Sequence, residues 1–281
     1  MRSGAAMPVG AWRGRFGGAA LVTGASGGIG EALLRALAAR GMDLIAVARS
    51  RDKLESLRGE LERAHAVEVR VEPADLSIPG EARALAARLL EGGAQIGLLV
   101  NNAGVGRYGP FSEQTADQLT EMVELNCRAP VELTQALLPA MLARGRGGLV
   151  FVASTAGFQP APFFATYGAT KAFSLMLGEA LWAELSPRGI EVLALAPGLT
   201  KTGFQKLAGS ESMRELGPAS TPEEVAEAAL RALGKKPTEI PGLRNRLAAF
   251  AVRLLPRALV ARSAARFSAP PALPASPRNP R

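Results

Sequence analysis

The sequence predicts a doubly wound α/β fold in three layers, with a central parallel sheet covered by helices on both faces. Two observations carry this. Short apolar runs alternate with segments of helical periodicity from residue 19 to about residue 196. Such alternation builds a parallel sheet whose strands are buried on both sides. The first apolar run also leads straight into a glycine-rich turn, from Thr23 to Gly30, which opens a helix. That junction is where parallel α/β sheets receive the phosphates of a dinucleotide, because a helix N-terminus offers unpaired N–H groups and the positive end of its dipole.

Residues 19–22 form the first predicted strand. Residues 31–40 form the first helix, with Leu33, Leu34 and Leu37 at helical spacing and Gly41 beyond its end. A second strand at 43–48 precedes a charged helix at 51–64. A third strand at 67–71 alternates in polarity and runs on to Pro73 and Asp75. Residues 80–91 read as a helix and 96–100 as a fourth strand, ending in Asn101, Asn102, Ala103 and Gly104. One long helix is expected over 115–143, bent or broken by Pro130 and Pro139. A strand at 148–153, a helix at 165–185 and a sixth strand at 190–196 complete the alternation. No internal repeat or Pro/Gly-rich linker divides the body. The expected organisation is a flexible arm at 1–17, one catalytic domain at 18–240, a basic amphipathic helical extension at 241–267, and a disordered tail at 268–281 rich in Pro, Ala and Ser.

Composition excludes several classes of function. The chain has 281 residues, 48% of them hydrophobic, enough to bury one large core. No apolar run approaches the ~20 residues of a membrane-spanning helix. The first 15 residues carry positive charge without the apolar core of a secretion signal. A single cysteine, Cys127, excludes an internal disulfide and any cysteine cluster, and the one histidine, His65, removes histidine-rich metal sites. No metal is expected, and a reducing, cytoplasmic setting is. The net charge of +8 is unevenly placed: from Lys235 onward ten basic residues face one acid, and the rest of the chain is near neutral. The excess therefore belongs to the C-terminal segment, and nucleic acid is not an expected partner of the main fold.

Tyr167 and Lys171 stand one helical turn apart in the predicted 165–185 helix. A free phenol, with pKa ~10, transfers protons poorly at neutral pH. A neighbouring ammonium is expected to lower that pKa and so suit the phenol to acid/base work. Ser154, thirteen residues upstream at a strand end, can hold a substrate oxygen beside it. Taken alone, a Tyr and a Lys at this spacing usually make nothing more than a helix surface; the other motifs change that weighting. The glycines Gly24, Gly28 and Gly30, the Asn101–Gly104 segment, Ser154, Tyr167, Lys171, and Pro197 with Gly198 occur together in one order. With only His65 present and no G-x-S-x-G turn around Ser154, a serine hydrolase is disfavoured.

This set resembles the short-chain dehydrogenase/reductase family over roughly residues 19–235, with its Rossmann-like fold. The resemblance implies that Tyr167 is the general acid/base and that Lys171 is its partner and a contact of the nicotinamide ribose. It implies that Ser154 binds the substrate oxygen and that Asn126 helps hold a relay water. Gly24, Ser26, Gly28, Ile29 and Gly30 are then expected on the pyrophosphate. Asp75 and Leu76 are expected at the adenine, Asn101, Ala103 and Gly104 beside the adenosine, and Pro197, Gly198, Thr200 and Thr202 at the nicotinamide carboxamide. Cofactor choice has its own physical argument. The second strand ends in Ala48, Arg49, Ser50 and Arg51, with no carboxylate to repel a 2′-phosphate and with Arg49 able to pair with one. NADP(H) is expected over NAD(H); Arg51 reads first as a surface arginine at the helix start and only second as a further contact.

Phe158, Gln159, Pro160, Pro162, Phe163 and Phe164, with Phe204 and Leu207 in a lid at about 200–220, give the expected site an apolar wall. A small hydrophobic carbonyl compound or its alcohol is the expected substrate. A 3-ketoacyl reductase and a steroid- or retinoid-type dehydrogenase are alternatives within the same chemistry, and a non-catalytic cofactor-binding protein is the alternative outside it. The amphipathic residues 243–266 are expected to cap the pocket, to pack on a subunit, or to make a peripheral contact with an acidic membrane surface. The resemblance also carries the expectation of a homodimer or homotetramer.

Overall fold

A computed structural model describes residues 11–210 and 219–270. Seven strands form one sheet in the order β3-β2-β1-β4-β5-β6-β7, with every neighbouring pair parallel. They are β1 (Ala19–Thr23), β2 (Leu44–Ala48), β3 (Val69–Pro73), β4 (Ile96–Asn101), β5 (Gly147–Val152), β6 (Ile190–Leu195) and β7 (Thr238–Glu239). Successive residues of a strand point to opposite faces, and here both faces are buried. Ala20, Val22, Leu98, Val100, Val150 and Val152 face one core, while Leu21, Leu99, Leu149 and Phe151 face the other. The apolar runs in the sequence are continuous for that reason.

The first core lies under α1 (Ala11–Phe16), α2 (Gly28–Ala38), α3 (Arg51–Ala64) and α9 (Pro222–Ala232). The second lies under α4 (Glu81–Glu91), α6 (Ala129–Ala143) and α7 (Ala165–Leu185). Strand order reverses at β1, which pairs with both β2 and β4. In open α/β sheets that reversal opens a crevice at the carboxyl ends of the strands.

Four features depart from the sequence reading. Residues 11–16 of the expected arm are a helix, with Trp12 and Phe16 buried against the first core; residues 1–10 lie outside the described residues. The helix expected over 115–143 is two helices, α5 (Ala116–Val123) and α6, joined by a wide π-type turn at Glu124–Arg128. Pro130 falls in the first turn of α6, where its missing N–H removes no internal bond. Two elements were not foreseen: β7, too short to show alternation, and α9, although Thr221 and Glu224 at its start form a complete capping box.

Beyond β7 the chain forms α10 (Leu243–Leu254) and α11 (Arg257–Ser268), separated at Pro256. A short α8 (Phe204–Ala208) begins the expected lid, of which residues 211–218 lie outside the described residues, as do residues 271–281 of the tail. Among the described residues no helix is long and apolar enough to cross a membrane.

Candidate active site

The glycine-rich turn joins β1 to α2. Gly24 sits at φ +67°, a left-handed conformation that favours glycine, and a Cβ there would come within 2.8 Å of Asn102 Nδ2. The turn is braced from the end of β4. Asn102 Nδ2 donates to the carbonyls of Thr23 (2.8 Å) and Gly24 (3.2 Å), and the Thr23 hydroxyl accepts from the N–H groups of Asn102 and Ala103, both at 3.0 Å. Neither Thr23 nor Asn102 was among the expected site residues, although both lie inside the motifs that identified the site. No side chain caps the N-terminus of α2, whose N-cap is Gly27. Its first-turn N–H groups thus suit the pyrophosphate of a dinucleotide. Thr202 lies across the turn beside Gly28, at the edge of a cleft of about 550 Å³ that also meets Arg35 and Lys201. This cleft opens on the phosphate side, not over Tyr167.

At the adenosine side Arg49 is two-thirds exposed at the end of β2, with Nη1 3.9 Å from Asp75 Oδ2. Asp75 Oδ1 accepts from the backbone N–H (3.0 Å) and hydroxyl (2.6 Å) of Ser77, so the carboxylate is held in a turn and presents one oxygen toward Arg49. Arg51 points instead to Glu55, 3.8 Å away. Lys53 lines a cleft with Ser26 and Ser56, together with Arg35 and the carboxylates of Glu31 and Glu60. Nothing in the sequence pattern distinguished Lys53 from other cations of the α3 surface. Leu76 and Ile29 pack into the two cores, and Asn101 turns its amide to Thr134 Oγ1 on α6 (3.3 Å). These three serve the site through packing, not by presenting a side chain to a ligand.

Ser154, Tyr167, Lys171, Asn126 and Gly104 gather beyond the ends of β4 and β5. The π-type turn aims Asn126 inward, where it is buried. Its Oδ1 accepts from the Val105 N–H (3.0 Å), and its Nδ2 donates to the Val105 carbonyl and Thr170 Oγ1, both at 2.9 Å. The resemblance implies that Asn126 helps hold a relay water; in the structure its amide joins the β4 loop to α7. A Cβ on Gly104 would lie 3.1 Å from Asn126 Oδ1 and 3.3 Å from Lys171 Nζ, so a side chain there would press on both. Lys171 is buried, and Nζ donates to the Val152 carbonyl at 2.7 Å. Burial lowers its pKa to about 8.

Tyr167 corrects an expectation. Burial pushes its phenol up to about 12, opposed by a hydrogen bond with Ser154. Loss of water around the phenolate outweighs its hydrogen bond in this protein. Lys171 Nζ lies 5.8 Å from the phenol ring centroid. Ser154 Oγ also accepts from the Ala156 N–H at 3.1 Å, which orients its hydroxyl. Cys127, half-buried, has its thiol pushed up to about 11 by burial, so it is not an activated nucleophile.

Aromatic rings flank the phenol. Phe164 and Phe204 lie 5.4 and 5.2 Å from the Tyr167 ring, and Tyr108 lies 5.3 Å from Phe164. Tyr108 was not foreseen; its motif-free loop carries no sequence signal. Phe163, at φ +63°, accepts from the Gly109 N–H at 2.9 Å and fixes this wall. Phe158 packs with Ala153, Leu175 and Ala196 beneath Arg253, and Leu207 is exposed. Thr155 N–H donates to the Pro197 carbonyl (2.9 Å) and the Thr200 hydroxyl to that of Gly198 (3.1 Å), so the segment after β6 closes the far side.

Residues 18–212 match the family model described as short chain dehydrogenase. A very-long-chain 3-oxoacyl-CoA reductase of Phaeosphaeria nodorum is 32% identical over 220 residues, 77% of this chain and 63% of that protein. The chain thus spans less than two thirds of that relative's length. Among solved structures, a short-chain dehydrogenase from Sphingobium yanoikuyae in complex with NADPH has a TM-score of 0.76 and 35% identity, covering 92% of this chain and 99% of that one. A 7β-hydroxysteroid dehydrogenase has a TM-score of 0.80 and 28% identity, covering 90% and 98%.

Proposed function

This chain belongs to the short-chain dehydrogenase family, an oxidoreductase of CH–OH and C=O groups, and we infer that it reduces bulky apolar ketones with NADPH. The observation that carries the reading is Tyr167, set beside Ser154 and Lys171 and walled by Phe164 and Phe204. NADPH supplies the hydride that becomes the new C–H bond of the alcohol. Ser154 donates to the ketone oxygen, and Tyr167 gives that oxygen its proton. A phenol held this far above neutral pH gives up its proton only where the phenolate left behind is stabilised. Lys171, still charged at neutral pH, keeps positive charge near the phenolate that donation leaves behind.

Support for NADP(H) over NAD(H) comes from Arg49, exposed at the end of β2, where β2 itself carries no acid and the neighbouring carboxylate is that of Asp75, 3.9 Å away. The very-long acyl chain named for the relative and the steroid named for the structural neighbour are both bulky and apolar, in keeping with the aromatic wall. Cys127 as a free thiol accords with the cytoplasm, where we place the protein. The test is NADPH oxidation over ketones and 3-oxoacyl thioesters of increasing apolar bulk, with Tyr167→Phe alongside. Turnover should appear with the bulky members and fall roughly 10²–10⁴-fold in the variant while NADPH still binds. Tight NADPH binding without turnover across the panel would overturn the reading.

A further inference from the structure

The C-terminal helices present their large apolar residues to solvent. Leu243, Leu247, Phe250 and Leu254 fall at i, i+4, i+7 and i+11 on one face of α10 and are between 60% and 70% exposed. Small groups dock the helix to the body instead: Ala249 is its buried residue, and Asn245 packs on Gly198. Leu259 and Phe267 of α11 are also exposed. Beside this stripe stand the exposed Arg244, Arg257, Arg262 and Arg266, while Arg246 turns to the Ile240 carbonyl and Arg253 to Phe158, and the two helices contain no Asp or Glu.

We propose that the outer face of α10 and α11 docks on an anionic lipid bilayer, with the leucine and phenylalanine stripe entering the headgroup boundary. Charge decides the occupant. A twofold contact with a second copy sets a patch against itself, which would desolvate like charges with no carboxylate to pair them. An anionic surface neutralises the arginines, whose long stems let the guanidinium groups reach the phosphates while the stripe is buried. The docked face adjoins the site: Arg253 lies over Phe158, and the Tyr108 hydroxyl donates to the Ser268 carbonyl at 2.7 Å. Docking does not depend on the catalytic reading.

The experiment is vesicle co-sedimentation of the full chain, with sedimentation velocity in parallel. The chain should pellet with phosphatidylcholine vesicles containing about 30% phosphatidylserine, should stay in solution with phosphatidylcholine alone, and should be released by high salt. The triple change Leu247→Glu, Phe250→Glu and Leu254→Glu should weaken partitioning by more than roughly 100-fold. Changing Arg244, Arg257 and Arg262 to Gln should weaken it roughly 100-fold without touching the stripe. An unchanged melting temperature shows that each variant is folded, and either variant alone suffices. Failure of the unaltered chain to pellet with anionic vesicles overturns the proposal, as does equal pelleting by both variants. So does a chain that ignores vesicles but loses a subunit contact when the stripe is changed.

Discussion

The Lys171 ammonium donates to the Val152 carbonyl at 2.7 Å, so the cation beside the Tyr167 phenol is anchored to β5. Its pKa of about 8 and the Tyr167 value of about 12 set the pH behaviour. Reduction needs both groups protonated. It should be level below pH 8 and fall toward tenfold per unit above it, measured as kcat/KM from pH 6 to 10. Lys171→Arg should move that fall to higher pH; an unmoved fall would assign it to another group.

The same shift has a stability consequence. The Lys171 pKa drops from 10.5 to about 8 on folding, so between those values the unfolded chain binds more protons. Stability should therefore rise as pH goes from about 8 to about 10, and Lys171→Met should lack that rise. Above pH 10 the raised Tyr167 pKa acts in the opposite sense, since the unfolded phenol ionises first. Thermal melts of both proteins across this range read the difference.

Arg49→Ala should raise the KM for NADPH roughly 10–100-fold, the value of one charge-assisted contact, and leave NADH nearly unchanged. Equal effects on the two cofactors would show that Arg49 does not read the 2′-phosphate.

Asn102→Ala removes the donors that hold the carbonyls of Thr23 and Gly24. A loss of about 1–3 kcal/mol in unfolding free energy is expected, with weaker NADPH binding. Chemical denaturation and cofactor titration together test it. Binding unchanged in a destabilised variant would separate the brace from the cofactor.

Phe173 and Met176 on α7 and Val123 on α5 are exposed apolar residues of the kind a subunit contact would cover. Phe173→Glu with Met176→Glu should lower the sedimenting mass to that of one chain. An oligomer that survives the pair of changes would place the contact elsewhere.

The sequence alone determined the parallel sheet, the phosphate turn and the positions of Ser154, Tyr167, Lys171 and Arg49. These rest on local signals: apolar runs of a strand's length, glycines between strand and helix, and an absent acid at a strand end. The π-type turn that aims Asn126 at Val105 was not legible, because an α-helix and a π-turn use the same residues and differ only in what the neighbouring loop offers as partners. Thr23 and Asn102 stood in plain view, yet their bond joins the ends of β1 and β4, far apart in the chain. Burial, likewise, is a property of everything packed around a group. Only the tertiary structure could decide that desolvation raises the Tyr167 pKa where a charge neighbour alone would lower it, and that the C-terminal helices turn their largest apolar side chains outward.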